Sequence, residues 1–151
     1  MSELDFLYDT NLWVALTMSE HPHHQTAHTV FANATTDRPA CFCRSTQQGF
    51  LRLITTPVLL KEYKAVGFTN ADALSVYAGL EKLPVVQMRS EPAGLEPLWH
   101  RLASLGSASP KVWMDAYLAA FAIGHGAELV TFDAGFKSFE KDGLKLRLLS
   151  A

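Results

Sequence analysis

KVWMDAYLAAFAIGHGAELVTFD, residues 111–133, is the stretch whose reading decides the fold. Residues 111–125 form a strongly apolar helical run. Gly126 follows where a helix C-cap favours a residue tolerant of a left-handed backbone. Residues 128–132 are a short apolar run of strand-forming types that ends at Asp133. Apolar helix, glycine, buried strand and then an acid make one unit of an α/β sheet.

Working outward, the same alternation recurs. A first strand over residues 4–8, interrupted by Asp5, ends at Asp9-Thr10-Asn11, and helices follow over 12–18 and 23–34. Asp37-Arg38-Pro39 is a turn before a second strand over 40–44, and Ser45 or Thr46 is the expected cap of a helix through Leu53. Thr56-Pro57 opens another helix with a capping hydroxyl and a proline at its first position. Residues 70–83 read as a helix with Ala73, Leu74, Tyr77 and Leu80 on one face. A strand over 84–88, a helix over 96–105 ended by Gly106, and a last strand over 145–149 complete the pattern. The expected architecture is α/β, with a mostly parallel central sheet flanked by helices. Ligands of such sheets bind outside the carboxyl ends of the strands, so the residues just after each strand are the ones to read for chemistry.

The chain has 151 residues, enough for a single domain over 1–151 that buries roughly two-thirds of its unfolded surface without disulfides or structural metal. Hydrophobic residues make up 48% and charged residues 19%, which excludes disorder. Thirteen basic against fifteen acidic residues give a net charge of −2, which excludes a nucleic-acid module held by charge alone. No apolar run reaches the ~18–20 residues of a membrane span. Met1-Ser2-Glu3-Leu4-Asp5 carries acids where a signal peptide needs a basic region. Cys41 and Cys43 read as reduced thiols, so the expected location is the cytoplasm, with no membrane partner.

Asp9 and Asp133 each end an apolar strand, and Asp115 lies near the start of the helix that leads into the second of them. A single aspartate after a strand is usually a turn former or helix cap. Three acids converging on one sheet edge repel one another unless a hard cation holds them, and Mg2+ or Mn2+ suits carboxylate and water ligands.

Leu7-Tyr8-Asp9-Thr10-Asn11 resembles the opening motif of PIN-domain ribonucleases. The run Trp113-Met114-Asp115-Ala116-Tyr117-Leu118-Ala119-Ala120 resembles that family too. So does Gly126-Ala127-Glu128-Leu129-Val130-Thr131-Phe132-Asp133 with Phe136. Order, spacing and length are similar to the VapC-like toxins of prokaryotic toxin–antitoxin pairs over nearly the whole chain. The segment from Cys43 to Leu53 looks like a subgroup of them. The resemblance implies a PIN-like fold and a metal-dependent endoribonuclease. Asp9, Asp115 and Asp133 would be catalytic and would bind one or two Mg2+ (or Mn2+) ions that activate water against a phosphodiester. Thr10, Asn11, Thr131 and Gln48 would orient carboxylates or water, and Arg44 and Arg52 would meet the RNA backbone. Its implied partners are RNA, a VapB-like antitoxin and a second copy in a homodimer.

Two departures from the family pattern stand out. The family places a glutamate near Gln48 or Gly49, but no acid lies between Asp37 and Glu62, and Gly135 stands where another aspartate is common. The alternative is therefore a catalytically weak PIN-like domain that binds RNA or a partner. An aspartate-nucleophile phosphatase needs a second Asp at position 11, which is Asn. No G-x-G-x-x-G or Walker loop is present, and Gly124-His125-Gly126 closes a helix rather than opening one. His24 and His28 have a spacing that can bind zinc, but they read as a solvated helix start without a third ligand. Lys61, Lys64 and Lys111 are further groove candidates.

Overall fold

Strand β1 (Phe6–Tyr8) lies at the centre of the molecule and is buried along its whole length. The computed structural model describes residues 5–150, and the expected start of this strand at Leu4 falls outside them. Around β1 the sheet adds β2 (Ala40–Phe42), β3 (Val86–Met88), β4 (Glu128–Thr131) and β5 (Lys145–Leu148). Their spatial order is β3-β2-β1-β4-β5, and every neighbouring pair is parallel. The expected parallel sheet is thus observed, and it explains why the central strands are apolar without alternation: both of their faces are covered.

The two-residue period of the strands divides the core. Tyr8, Phe42 and Val130 face one apolar cluster, with Trp13, Phe50 and Tyr77 from helices α1 (Thr10–Thr17), α3 (Arg44–Leu53) and α5 (Asn70–Glu81). Leu7, Cys41 and Leu129 face the other, with Leu102, Ala119 and Phe121 from α6 (Leu95–Ala103) and α7 (Val112–His125). Cys41 and Cys43 both lie in the second cluster as free, buried thiols, and burial pushes the Cys41 thiol up to about 12. Neither is a reactive nucleophile. The remaining helices are α2 (His24–Phe31) and the short α4 (Pro57–Glu62). Among the described residues no helix is long and apolar enough to cross a membrane.

Helix α7 ends on Gly126 at φ 65, the left-handed cap read from the sequence. Other local expectations need correction. Helix α3 starts at Arg44, and its cap is Cys43 rather than Ser45 or Thr46. Thr46 serves from inside the first turn, its hydroxyl accepting the Cys43 N–H at 2.9 Å. The Thr56 hydroxyl does not cap α4; it donates back to the Arg52 carbonyl at 2.7 Å, leaving proline to set the helix start. Leu74 is exposed, so the buried face of α5 is carried by Ala73 and Tyr77. A 3-10 helix over Ala134–Asp142, unforeseen from the sequence, follows β4 and buries Phe136 and Phe139. These stand three apart, the repeat of a three-residue turn.

Candidate active site

Asp9 is the N-cap of α1, in extended backbone at φ −66 and ψ 157. Its Oδ1 accepts the Thr10 N–H at 2.7 Å, and its Oδ2 accepts the Thr131 hydroxyl at 2.7 Å. The register explains the second contact. Tyr8 pairs with Val130, so the next residues, Asp9 and Thr131, emerge side by side at the carboxyl edge. The Thr131 oxygen also accepts the Asp133 N–H at 3.0 Å. One fully buried hydroxyl therefore ties the two acids together.

Asp133 caps the 3-10 helix, its Oδ1 accepting the Gly135 N–H at 2.8 Å. Its Oδ2 accepts from Lys111 Nζ at 3.1 Å, and the same ammonium donates to Asp115 Oδ2 at 3.0 Å. Lys111 precedes α7 by one residue and stands four before Asp115, a helical ion-pair spacing legible in the sequence. Its bridge to Asp133 was not legible, because that contact spans strand and helix.

Asp9, Asp115 and Asp133 line one cleft of about 410 Å3, together with Thr10, Asn11 and Arg52. Gln48 and Arg44 do not line it. The helical period turns Ser45, Thr46, Gly49 and Arg52 of α3 toward the cleft and leaves Gln48 and Arg44 exposed on other faces. Arg44 donates instead to the side-chain oxygen of Gln47.

The electrostatics set Asp9 apart. Burial raises its pKa above the ordinary carboxylate value, and the nearby Asp133 and Asp115 charges add to this against the bonds from Thr131 and Thr10. Asp133 moves the other way, lowered chiefly by the Gly135 N–H and also by Lys111. The Lys111 ammonium is raised by its hydrogen bonds to Asp115 and Asp133.

The chemistry of this donor set fits a hard divalent cation. It is made of oxygens, and the Asn11 Oδ1 is buried without a hydrogen-bond partner on a cleft-lining residue, an acceptor waiting for a donor such as water. The placement is not that of a closed ligand shell: among the described residues no three Asp, Glu, His or Cys side chains are grouped closely enough to hold a metal. The same holds for the histidines. His24 and His28 rings lie 4.4 Å apart, but His24 Nδ1 contacts the Ala15 carbonyl at 2.8 Å.

The missing glutamate has a steric counterpart. A Cβ at Gly49 would stand 2.8 Å from Thr10 Oγ1 and 3.1 Å from its Cγ2, so α3 crosses α1 at a distance only glycine allows. Rotating Thr10 removes at most one of the two contacts, because its branched Cβ keeps a heavy atom on that side. In an open helix Gly→Ala gains about 1 kcal/mol, but here overpacking costs about 1–3 kcal/mol and decides the sign. Gly49→Ala is expected to lower the urea midpoint; an unchanged or higher midpoint would show that the helices can part freely.

Thr131→Val tests the hydroxyl between the two acids. It keeps the shape and removes the donor to Asp9 and the acceptor for the Asp133 N–H. Positioning groups of this kind are worth about 10–100-fold in metal affinity or activity. The orphaned amide adds a stability loss of about 1–3 kcal/mol. Activity and chemical denaturation measure the two effects separately, and an activity within twofold of the parent would exclude the positioning role.

Comparison with known proteins gives the chain its family and fold neighbours. Residues 6–142 match the family model described as the PIN domain. The ribonuclease VapC41 of Mycobacterium tuberculosis, found in two strains, is 43% identical over 145 residues, covering 95% of this chain and 98% of the relative. Among solved structures, M. tuberculosis VapC20, a Sarcin-Ricin loop cleaving toxin, superposes with a TM-score of 0.64 at 19% identity, covering 93% of this chain and 96% of that one. VapBC2 from Rickettsia felis, bound to a DNA fragment from its promoter, gives 0.59 at 14% identity, with 97% and 100% covered. At these identities the two structures speak for the fold.

Proposed function

The chain belongs to the PIN-domain family, and from that premise we propose that it is a metal-dependent endoribonuclease, the toxin of a VapBC-type pair. The observation that carries the reading is the cleft itself: three aspartates from separate parts of the chain, at the carboxyl edge of a parallel sheet, in a relative of a VapC ribonuclease. Asp9, Asp115 and Asp133 would hold Mg2+ or Mn2+. Held there, such an ion would supply a lowered water pKa and charge stabilisation at the phosphate oxygens.

The protein's own groups do the rest. Thr131 keeps Asp9 and Asp133 in one orientation, and the Gly135 N–H pins the far oxygen of Asp133. Asn11 offers its unpartnered oxygen to a donor in the cleft. Arg52, on the cleft wall, is placed to take a phosphate oxygen of the RNA backbone. A net charge of −2 and an acidic cleft make RNA binding depend on the divalent ion and weaken with salt.

An antitoxin is the expected partner, by analogy with the VapBC relative. Met114, 69% exposed, lines the cleft, and Trp113, 53% exposed, lines the neighbouring hollow with Trp99 and Tyr117; together they supply apolar surface for that partner or for a second copy in a homodimer. A cytoplasmic location fits an RNA substrate and an antitoxin partner.

Incubating purified protein with a cellular RNA pool, with Mg2+, with Mn2+ and with chelator, tests the function. Cleavage in either metal that chelator abolishes is the expected result. The absence of cleavage in both metals would instead favour the weak, binding-only domain that the missing glutamate suggests.

A further inference from the structure

Lys111 sits where the acids want a cation. Its Nζ is 3.0 Å from Asp115 Oδ2 and 3.1 Å from Asp133 Oδ2. The other Asp133 oxygen, Oδ1, accepts the Gly135 N–H, so Lys111 holds the Asp133 oxygen that no backbone donor engages. The Lys111 side chain is 69% exposed, on a flexible stem just outside α7, and nothing in its surroundings buries it in this position.

An ammonium and a divalent ion on the same oxygens oppose each other. An ion such as Mg2+ sits about 2.0–2.1 Å from each ligand oxygen, and its charge would repel an Nζ held some 3 Å from those atoms. From this geometry we infer that Lys111 is a built-in counter-ion of the site: it holds Asp115 and Asp133 together without metal and competes with the divalent ion for Asp115 Oδ2 and Asp133 Oδ2. Loading the site requires the Lys111 side chain to swing out toward solvent. Metal affinity is therefore lower than the carboxylates alone would give, and the metal-free fold is protected from their mutual repulsion. The inference rests on the proposed reading of Asp115 and Asp133 as metal ligands.

Direct Mn2+ binding without RNA tests it, with free Mn2+ followed by its electron paramagnetic resonance signal. Lys111→Met keeps the stem and removes the charge; Lys111→Gln, run beside it, keeps a polar end in case one variant misfolds. Both are expected to bind Mn2+ roughly three- to tenfold more tightly than the parent, the scale of two solvent-screened ion pairs that no longer compete. Both should also unfold at lower temperature than the parent in chelator and recover more on adding Mn2+. Binding in the variants equal to or weaker than in the parent overturns the counter-ion role and leaves the metal site intact. A parent that binds no Mn2+ at millimolar concentration overturns the metal site itself, and the inference with it.

Discussion

Replacing Asp9 with asparagine is expected to lower metal-dependent RNA cleavage by more than about 100-fold while raising the temperature at which the metal-free protein unfolds. The first effect follows from position. Groups that merely orient metal ligands are worth about 10–100-fold, and Asp9 is itself the acid that Thr131 and the α1 terminus hold in the cleft. The second follows from the cost of its charge. Burial and two neighbouring carboxylates raise the folded pKa of Asp9 above its unfolded value. A group shifted in that direction weighs against the fold once pH exceeds the folded pKa, and carries no such penalty below the unfolded one. The gain from Asp9→Asn should therefore open as pH rises through the raised pKa and close in acid. Asparagine retains a carbonyl oxygen for the Thr10 N–H, so the cap survives. Cleavage assays and thermal melts in chelator across pH read both effects. A variant that is inactive and also less stable at neutral pH would assign Asp9 to the scaffold rather than to chemistry.

Trp13→Ala is expected to produce the largest loss of stability. The Trp13 ring is fully buried and lies flat on Phe42 of β2, with centroids 3.8 Å apart and planes 8° apart; the Tyr8 ring of β1 is 4.9 Å away. It is the side chain that seats α1, and with it the Asp9 cap, on the sheet. Truncating a buried tryptophan costs about 3–5 kcal/mol, a large share of the ~5–15 kcal/mol that holds a typical domain. For a chain of this size that corresponds to roughly 6–20 °C in Tm. Trp13 Nε1 is buried with no hydrogen-bond partner, so Trp13→Phe sacrifices no bond and should cost distinctly less. Denaturation of the two variants decides the matter, and a Trp13→Ala protein melting within about 3 °C of the parent would mean that the cavity collapses without strain.

The parallel sheet and the acids at its edge were legible because their signals are local. Apolar runs ending at Asp9 and Asp133, and an apolar helix closed by Gly126, are written in consecutive residues, and burial on both faces of β1 and β4 demands that composition. The 3-10 helix after Asp133 was missed because a three-residue period over a short span is a weaker signal than an apolar strand. Gln48 was a candidate because the family's glutamate falls near it, but the face of α3 turned to the cleft carries Ser45, Thr46, Gly49 and Arg52, a matter of how the helix is rotated against the sheet.

What the chain order could not contain are distances between residues far apart along it. That Thr131 joins Asp9 to Asp133 depends on the pairing of Tyr8 with Val130. That Gly49 lies against Thr10 depends on how closely α3 crosses α1. That Lys111 reaches Asp133 as well as Asp115 depends on where the start of α7 meets the end of β4. Sequence by itself determined the α/β class, the order of the elements and the three acids, because periodicity, caps and strand ends are properties of neighbouring residues. Tertiary structure alone decided which hydroxyl, which glycine and which ammonium meet those acids, because register and helix crossing bring them within hydrogen-bonding or van der Waals reach.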